Sequence, residues 1–270
     1  MAVSAKSYFS NSIIGTPQVG ADIDIQDTST TPKFPVGFGF ERADGSKFRY
    51  AHFGLLTNRG TVAATDISES SATYTSIATL SKTFITPSGD NVAVNSPGAR
   101  RLQLLITATD NQFYGGYALV YNLLSGTGYS YHIAGNTATN IPETGYCYVE
   151  LYDPLVTVID TTTALSIAGC PWANMEPATT TDRIVGGVAV VGHTAGSFGW
   201  VQTKGPASCL TDAAIPAIGN PVTLSSTTTG AITQVPVSSS GSVYLLTQIL
   251  GNCMIASSST NYSLVNLSIE

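Results

Sequence analysis

The feature that most limits what this chain can fold into is a two-residue alternation of apolar and polar side chains. In YSLVNLSIE (262–270), Val265, Leu267 and Ile269 fall on one side, and Asn266 and Ser268 on the other. In YCYVELYD (146–153), Cys147, Val149 and Leu151 share one face, while Tyr146, Tyr148, Glu150 and Tyr152 take the opposite one. In RLQLLITATD (101–110), Leu102, Leu104, Ile106 and Ala108 fall together. Successive side chains of a strand point to opposite faces, so this period marks half-buried strands. Clusters of Gly, Pro, Asn and Ser/Thr break the alternation at intervals of roughly 8–12 residues, the spacing of a sandwich or barrel. Helix signals are poor. The best is TALSIAGCPWANM (163–175), where Pro171 limits any helix to a turn or two. The expected fold is all-β: an antiparallel sandwich or barrel-like domain or domains, with an extended N-terminal arm and very little helix.

Local punctuation adds detail. YALVYNLLSGTGYSYHIAGN (117–136) reads as a hairpin around SGTG, whose glycines supply the positive φ of a tight turn, and His132 falls on its more polar face. The glycine pair in IVGGVAVVG (184–192) marks a bulge or a close backbone approach. Residues 1–36 read as an arm, ending in DTSTTPKFP (27–35), where Pro32 and Pro35 exclude a central strand. The arm either docks on a neighbour, through Tyr8, Phe9, Ile13 and Ile14, or folds back on its own domain. Residues 37–270 form the β-rich body. A short similarity between FRYAHFG (48–54) and FGWVQTKG (198–205) allows for two related β-subdomains within it.

Charge then narrows the partners. Only 10% of residues are charged, against 43% hydrophobic, and the net charge is −6. Such a surface rests on Ser, Thr, Asn, Gln and Gly, which suits contact with protein neighbours. Neither nucleic acid nor an anionic membrane is expected as a partner, because both require clustered cations. No apolar run reaches bilayer length, and MAVSAKSYFSNSIIG lacks the apolar block of a secretory leader, so none is expected.

Chemistry-bearing patterns are sparse. The densest stretch is SFGWVQTKGPASCL (197–210). A reactive Lys204 would need a desolvated site, and a nucleophilic Cys209 an electropositive pocket with a histidine, for which His193 is the nearest candidate. The simpler reading is a strand, a Gly205-Pro206 turn and the start of a second strand. The four cysteines, Cys147, Cys170, Cys209 and Cys253, lack the close pairing of a zinc site and read as reduced, buried side chains. His52, His132 and His193 each stand alone. Asp110, Glu143, Glu150 and Asp153 could supply a glycosidase pair, but no spacing brings two together. Asn261 and Asn266 begin N-x-S sequons, which matter only in a eukaryotic secretory product. No catalytic residue, metal ligand or cofactor is expected.

Four segments carry a resemblance: GSKFRYAHFG, GYALVYNLLSGTGYSYHIAGNTAT, VELYDPLVTVID and SFGWVQTKGPASCL. They resemble virion structural proteins of tailed bacteriophages, of the capsid decoration or cement type, over roughly residues 37–250. The resemblance implies a non-enzymatic, β-rich protein, often a homotrimer, made in the host cytoplasm and placed on the capsid surface. There it bridges neighbouring major capsid subunits. The alternatives are a tail or baseplate module and a carbohydrate-binding β-sandwich, for which exposed Tyr and Trp would form a sugar platform.

Overall fold

The structure, a computed structural model, describes residues 11–12, 23–65, 72–75, 83–85, 91–93, 95–104, 107–122, 126–139, 145–159, 163–178, 184–212, 217–235, 248–257 and 261–270. Every regular element among them is a strand. In chain order these are β1 (Asn11–Ser12), β2 (Gly39–Arg42), β3 (Lys47–Phe53), β4 (Val62–Thr65), β5 (Ala72–Thr75), β6 (Thr83–Ile85), β7 (Asn91–Ala93), β8 (Arg101–Leu104), β9 (Tyr117–Asn122) and β10 (Gly128–Asn136). They continue with β11 (Cys147–Leu151), β12 (Thr163–Ala168), β13 (Met175–Pro177), β14 (Ile184–Ala189), β15 (Ser197–Leu210), β16 (Pro221–Leu224), β17 (Ile232–Gln234), β18 (Gly251–Ile255) and β19 (Tyr262–Ser268). The fold is all-β. It divides into two compact units: Met1–Asp66 with Pro171–Glu270, and Ile67–Cys170.

In the first unit, strands β3, β13, β4, β14 and β15 close into a barrel, because β15 pairs with both β14 and β3. All these pairings are antiparallel except the single parallel contact of β13 with β3, Met175 opposite Phe53. The interior is filled by Ala51, Phe53, Ala63, Met175, Ala189 and Val201, with Trp172 packed beside them. Small residues dominate, as a narrow barrel demands. The glycine pair read from the sequence serves this closure. β14 bulges against β4 between Val185 and Gly187. A Cβ on Gly187 would stand 2.8 Å from the Val201 Cβ, and one on Gly186 2.6 Å from the Met175 methyl.

β15 runs 14 residues without interruption, so Gly205-Pro206 does not end it. Two features keep the strand going. Gly205 takes φ +88° just past the irregularity at Gln202–Lys204, where β15 parts from β3. Beyond it the strand pairs with β19, Gly205 opposite Leu267 and Pro206 opposite Asn266. The Ile269 amide donates to the Thr203 carbonyl and the Leu210 amide to the Gly60 carbonyl, so odd positions of β15 bond β19 and even positions face away. Pro206 therefore lacks an N–H only on the side where β19 needs none. The barrel thus opens into an extended sheet, β15-β19-β18-β16-β17. Its inner face buries Ala207, Cys209, Val265, Leu267, Cys253 and Val222. Val265 and Leu267 point inward, as the alternation predicts.

The second unit contains a six-stranded sheet, β5-β12-β9-β10-β11-β8, and a β6–β7 pair. The 117–136 segment forms the expected hairpin, Tyr121 opposite Gly128 and Tyr117 opposite His132. One face buries Leu102, Leu104, Ala118, Val120, Tyr131 and Ile133 with Cys147, Val149, Leu165 and Ile167. The segment considered for a helix is instead β12 followed by a turn at Pro171. Leu165 and Ile167 alternate into this core, and each β12 residue pairs with β9, so period two prevails there.

Candidate functional site

Four regions follow from this arrangement, three on the first unit and one on the second. On the outer side of β3 and β15, Trp200 lies at the centre of an aromatic cluster. Its ring centroid is 4.8 Å from Phe40, 5.1 Å from Tyr50 and 5.3 Å from Phe34. Phe34 stacks on Phe38 at 5.3 Å, and the Tyr50 hydroxyl accepts the Lys33 amide. Ser29 and Phe198 exchange both backbone hydrogen bonds. Residues 23–36, read from the sequence as the second half of an arm, therefore lie on their own unit and seal Trp200. Nearer the N-terminus, Asn11 and Ser12 pair with Arg42 and Glu41. The docking residues expected of the arm, Tyr8, Phe9, Ile13 and Ile14, lie outside the described residues.

The two ends of the barrel differ chemically. At one end Arg49 stands over the Trp172 ring, 4.8 Å from its centroid, and pairs with Glu270. The second Glu270 oxygen accepts the Thr203 hydroxyl at 3.0 Å. Gly39, Phe40, Lys47, Phe48, Arg49 and Glu270 line a shallow cleft of about 130 Å³ there. At the other end the His193 imidazole is fully buried, stacked on Phe53 with centroids 3.8 Å apart. Burial alone pushes it down to about 4, so it is neutral at physiological pH.

The outer face of β15-β19-β18 carries several exposed apolar side chains on neighbouring strands. Tyr262 pairs with Leu210, and Leu264 with Ser208 and Ile255. Tyr262, Ile255 and Met254 are 50%, 58% and 44% exposed, beside half-buried Leu210 and Leu264. The Gly219 amide bonds the Cys253 carbonyl and fixes the 217–220 turn against β18, with Ile218 70% exposed. Across these three strands the one charged side chain is Lys204, at the far end opposite Ser268. A monomeric protein rarely exposes such a group together unless something covers it.

In the second unit the outer face presents Tyr117 and Leu119 to solvent. Tyr117, His132 and Tyr152 form a row of rings, with centroids 5.2 Å and 4.8 Å apart. Tyr114 extends it by a hydrogen bond to Tyr152, and burial raises the Tyr114 hydroxyl above its ordinary range.

The residues considered for chemistry stay apart. His193 lies against Gly199 and Phe53, whereas Cys209 points into the core shared with Val265 and Leu267. Burial pushes the Cys209 thiol up to about 12, which suppresses the thiolate a nucleophile requires. Lys204 is exposed. All four cysteines are buried, and none is joined in a disulfide. Glu150 pairs with Arg101 across β11 and β8, Asp110 and Asp153 are exposed, and Glu143 lies outside the described residues. Asn261 and Asn266, the sequon residues, are both exposed. Among the described residues no three His, Cys, Asp or Glu side chains gather as metal ligands.

The Met254–Ile255–Tyr262 surface was missed by sequence reasoning, although Tyr262 and Leu264 continue the same face as Asn266 and Ser268. Comparison with family models, with curated proteins and with solved structures finds no match to this chain.

Proposed function

We propose that this chain is a non-enzymatic structural component of a bacteriophage virion: a capsid decoration or cement protein that bridges and stabilises neighbouring major capsid subunits. It acts as a homotrimer on the capsid surface after synthesis in the host cytoplasm, and needs no cofactor. The observation that carries this reading is the exposed apolar group of Met254, Ile255 and Tyr262 on the antiparallel β18–β19 pair, with Ile218 exposed on the adjoining turn. A sheet face of this kind offers area at little cost in side-chain ordering, and Tyr and Met are enriched in the cores of interfaces. Binding that selects the mature lattice stabilises that lattice by mass action, and many copies sum their effect over a shell.

The test is to mix the purified protein with mature tailed-phage capsids stripped of accessory proteins. Co-sedimentation and the thermal rupture temperature of the capsid are then measured. Saturable binding with a raised rupture temperature supports the proposal; absence of binding overturns it and directs the same assay to purified tails. A second reading, a carbohydrate-binding module, is favoured by the Tyr117–His132–Tyr152 row, since a run of partly exposed rings suits the apolar faces of sugars. Retention on a glycan array that is lost in Tyr117→Ala would support it.

A further inference from the structure

His193 is the most anomalous polar side chain among the described residues. It is 1% exposed, and neither Nδ1 nor Nε2 has a hydrogen-bond partner. A neutral imidazole carries one donor and one acceptor, and burying either unmatched is costly. The surroundings explain how the ring is held. It stacks on Phe53 at 8° between planes, and its Cε1 meets Gly199 so closely that any Cβ there would collide with it.

The position of the ring ties two turns together. His193 and Thr57 exchange both backbone hydrogen bonds, at 2.9 and 2.7 Å, and the Gly196 amide donates to the Phe53 carbonyl at 2.7 Å. These main-chain bonds join turn 190–196 to turn 54–58, and the imidazole, packed against Phe53 and Gly199, seats the joined pair at one end of the barrel. The 54–58 turn carries Leu55 and Leu56, which are 50% and 64% exposed.

Among the described residues no carboxylate stands beside this ring to compensate a proton on it, and Arg59, just past turn 54–58, is an exposed cation. Turns 54–58 and 190–196 contain no titratable residue besides His193 itself. On β3, Lys47 pairs with Glu41 and Arg49 with Glu270, while His52 sits against Phe198, on the opposite side of the strand from Phe53. On β15 the titratable residues are Lys204 and Cys209, five and ten positions beyond Gly199. On β13, Glu176 is the neighbour of inward-facing Met175 and pairs with Ala64. Protonation would place an uncompensated cation between Phe53 and the Gly199 backbone.

We propose that His193 is an acid-operated latch: protonation of its buried imidazole releases the paired turns 54–58 and 190–196 from the end of the barrel. The sign follows from linkage. An imidazole whose proton affinity is lowered by burial stabilises the closed form fully above its ordinary value of 6.5. That contribution is lost as pH falls from 6.5 towards about 4, and levels off below. The opening constant then rises about 30-fold by pH 5 and about 150-fold by pH 4, relative to pH 8.

Hydrogen exchange of the full chain reads this directly, as protection factors of the Thr57 and His193 amides between pH 8 and pH 4. A fall of that size in the wild type, retained in His52→Gln and absent in His193→Phe, is the expected result. Protection independent of pH in the wild type, or the same fall in His193→Phe, would overturn the proposal. Should His193→Phe not fold, NMR titration of the His193 ring in the folded wild type decides. A midpoint near 4, accompanied by loss of protection at Thr57, supports the latch; an ordinary midpoint near 6.5 refutes it.

Discussion

Replacing Trp200 by alanine tests whether the aromatic cluster closes the first unit. Trp200 is 1% exposed, with Phe34, Phe38, Phe40 and Tyr50 around it. A buried tryptophan removes on the order of 200 Å² from water, which at ~25 cal/mol/Å² is about 5 kcal/mol. Alanine retains a little of this and the site collapses in part, while a residual cavity adds cost, so about 4 kcal/mol is expected. In a unit of this size that lowers the melting temperature by about 8–16 °C. Urea unfolding followed by far-ultraviolet circular dichroism is the assay, since the substitution itself removes one of the two tryptophans. A double-mutant cycle with Phe34→Ala isolates the contact with the N-terminal segment, and the 5.3 Å ring pair should give a coupling of about 0.5–1.5 kcal/mol. A loss below about 1 kcal/mol would refute the claim that Trp200 organises this core. Zero coupling would refute the claim that residues 23–36 seal it.

Three further outcomes are expected. On the proposed capsid role, Tyr262→Ala removes about 100 Å² of contact surface and binding to capsids should weaken by about 2.5 kcal/mol, roughly 70-fold, in co-sedimentation; the ring's other half packs over Gly60, so the variant should also lose up to about 2.5 kcal/mol of stability while keeping its far-ultraviolet circular dichroism. Cys209, buried and with its thiol pushed up to about 12, should resist a thiol reagent at pH 8 in the native protein and react only in denaturant; native labelling at the rate of a free thiol would contradict its placement. Gly187→Ala should destabilise by about 1–3 kcal/mol in chemical denaturation, because φ is +151° and Val201 stands in the way of a Cβ; a neutral effect would mean β14 lies farther from β15 than described.

Much of this protein was legible one strand at a time. Alternation identified Leu102, Leu104, Val265 and Leu267 as inward-facing, because that property depends on nearest neighbours along the chain. The 117–136 hairpin and the bulge at Gly186–Gly187 were legible for the same reason. Continuity through Gly205-Pro206 was not. Local turn chemistry argues for a break there, and only the side on which β19 pairs makes a missing N–H harmless. Ring closure by β3 and β15, whose resemblance reads along the chain as a repeat of two units, is likewise a long-range pairing. His193 reads as a lone histidine until Phe53 and Gly199 close on it from a strand before and a strand after. The apolar surface of Met254, Ile255 and Tyr262 exists only because β18 and β19 pair through a bulge. The sequence by itself determined which face of each strand is apolar, since that is a property of spacing. The tertiary structure alone decided which strands are neighbours, and hence which side chains share a surface, since pairing between distant segments leaves no periodic mark on either one.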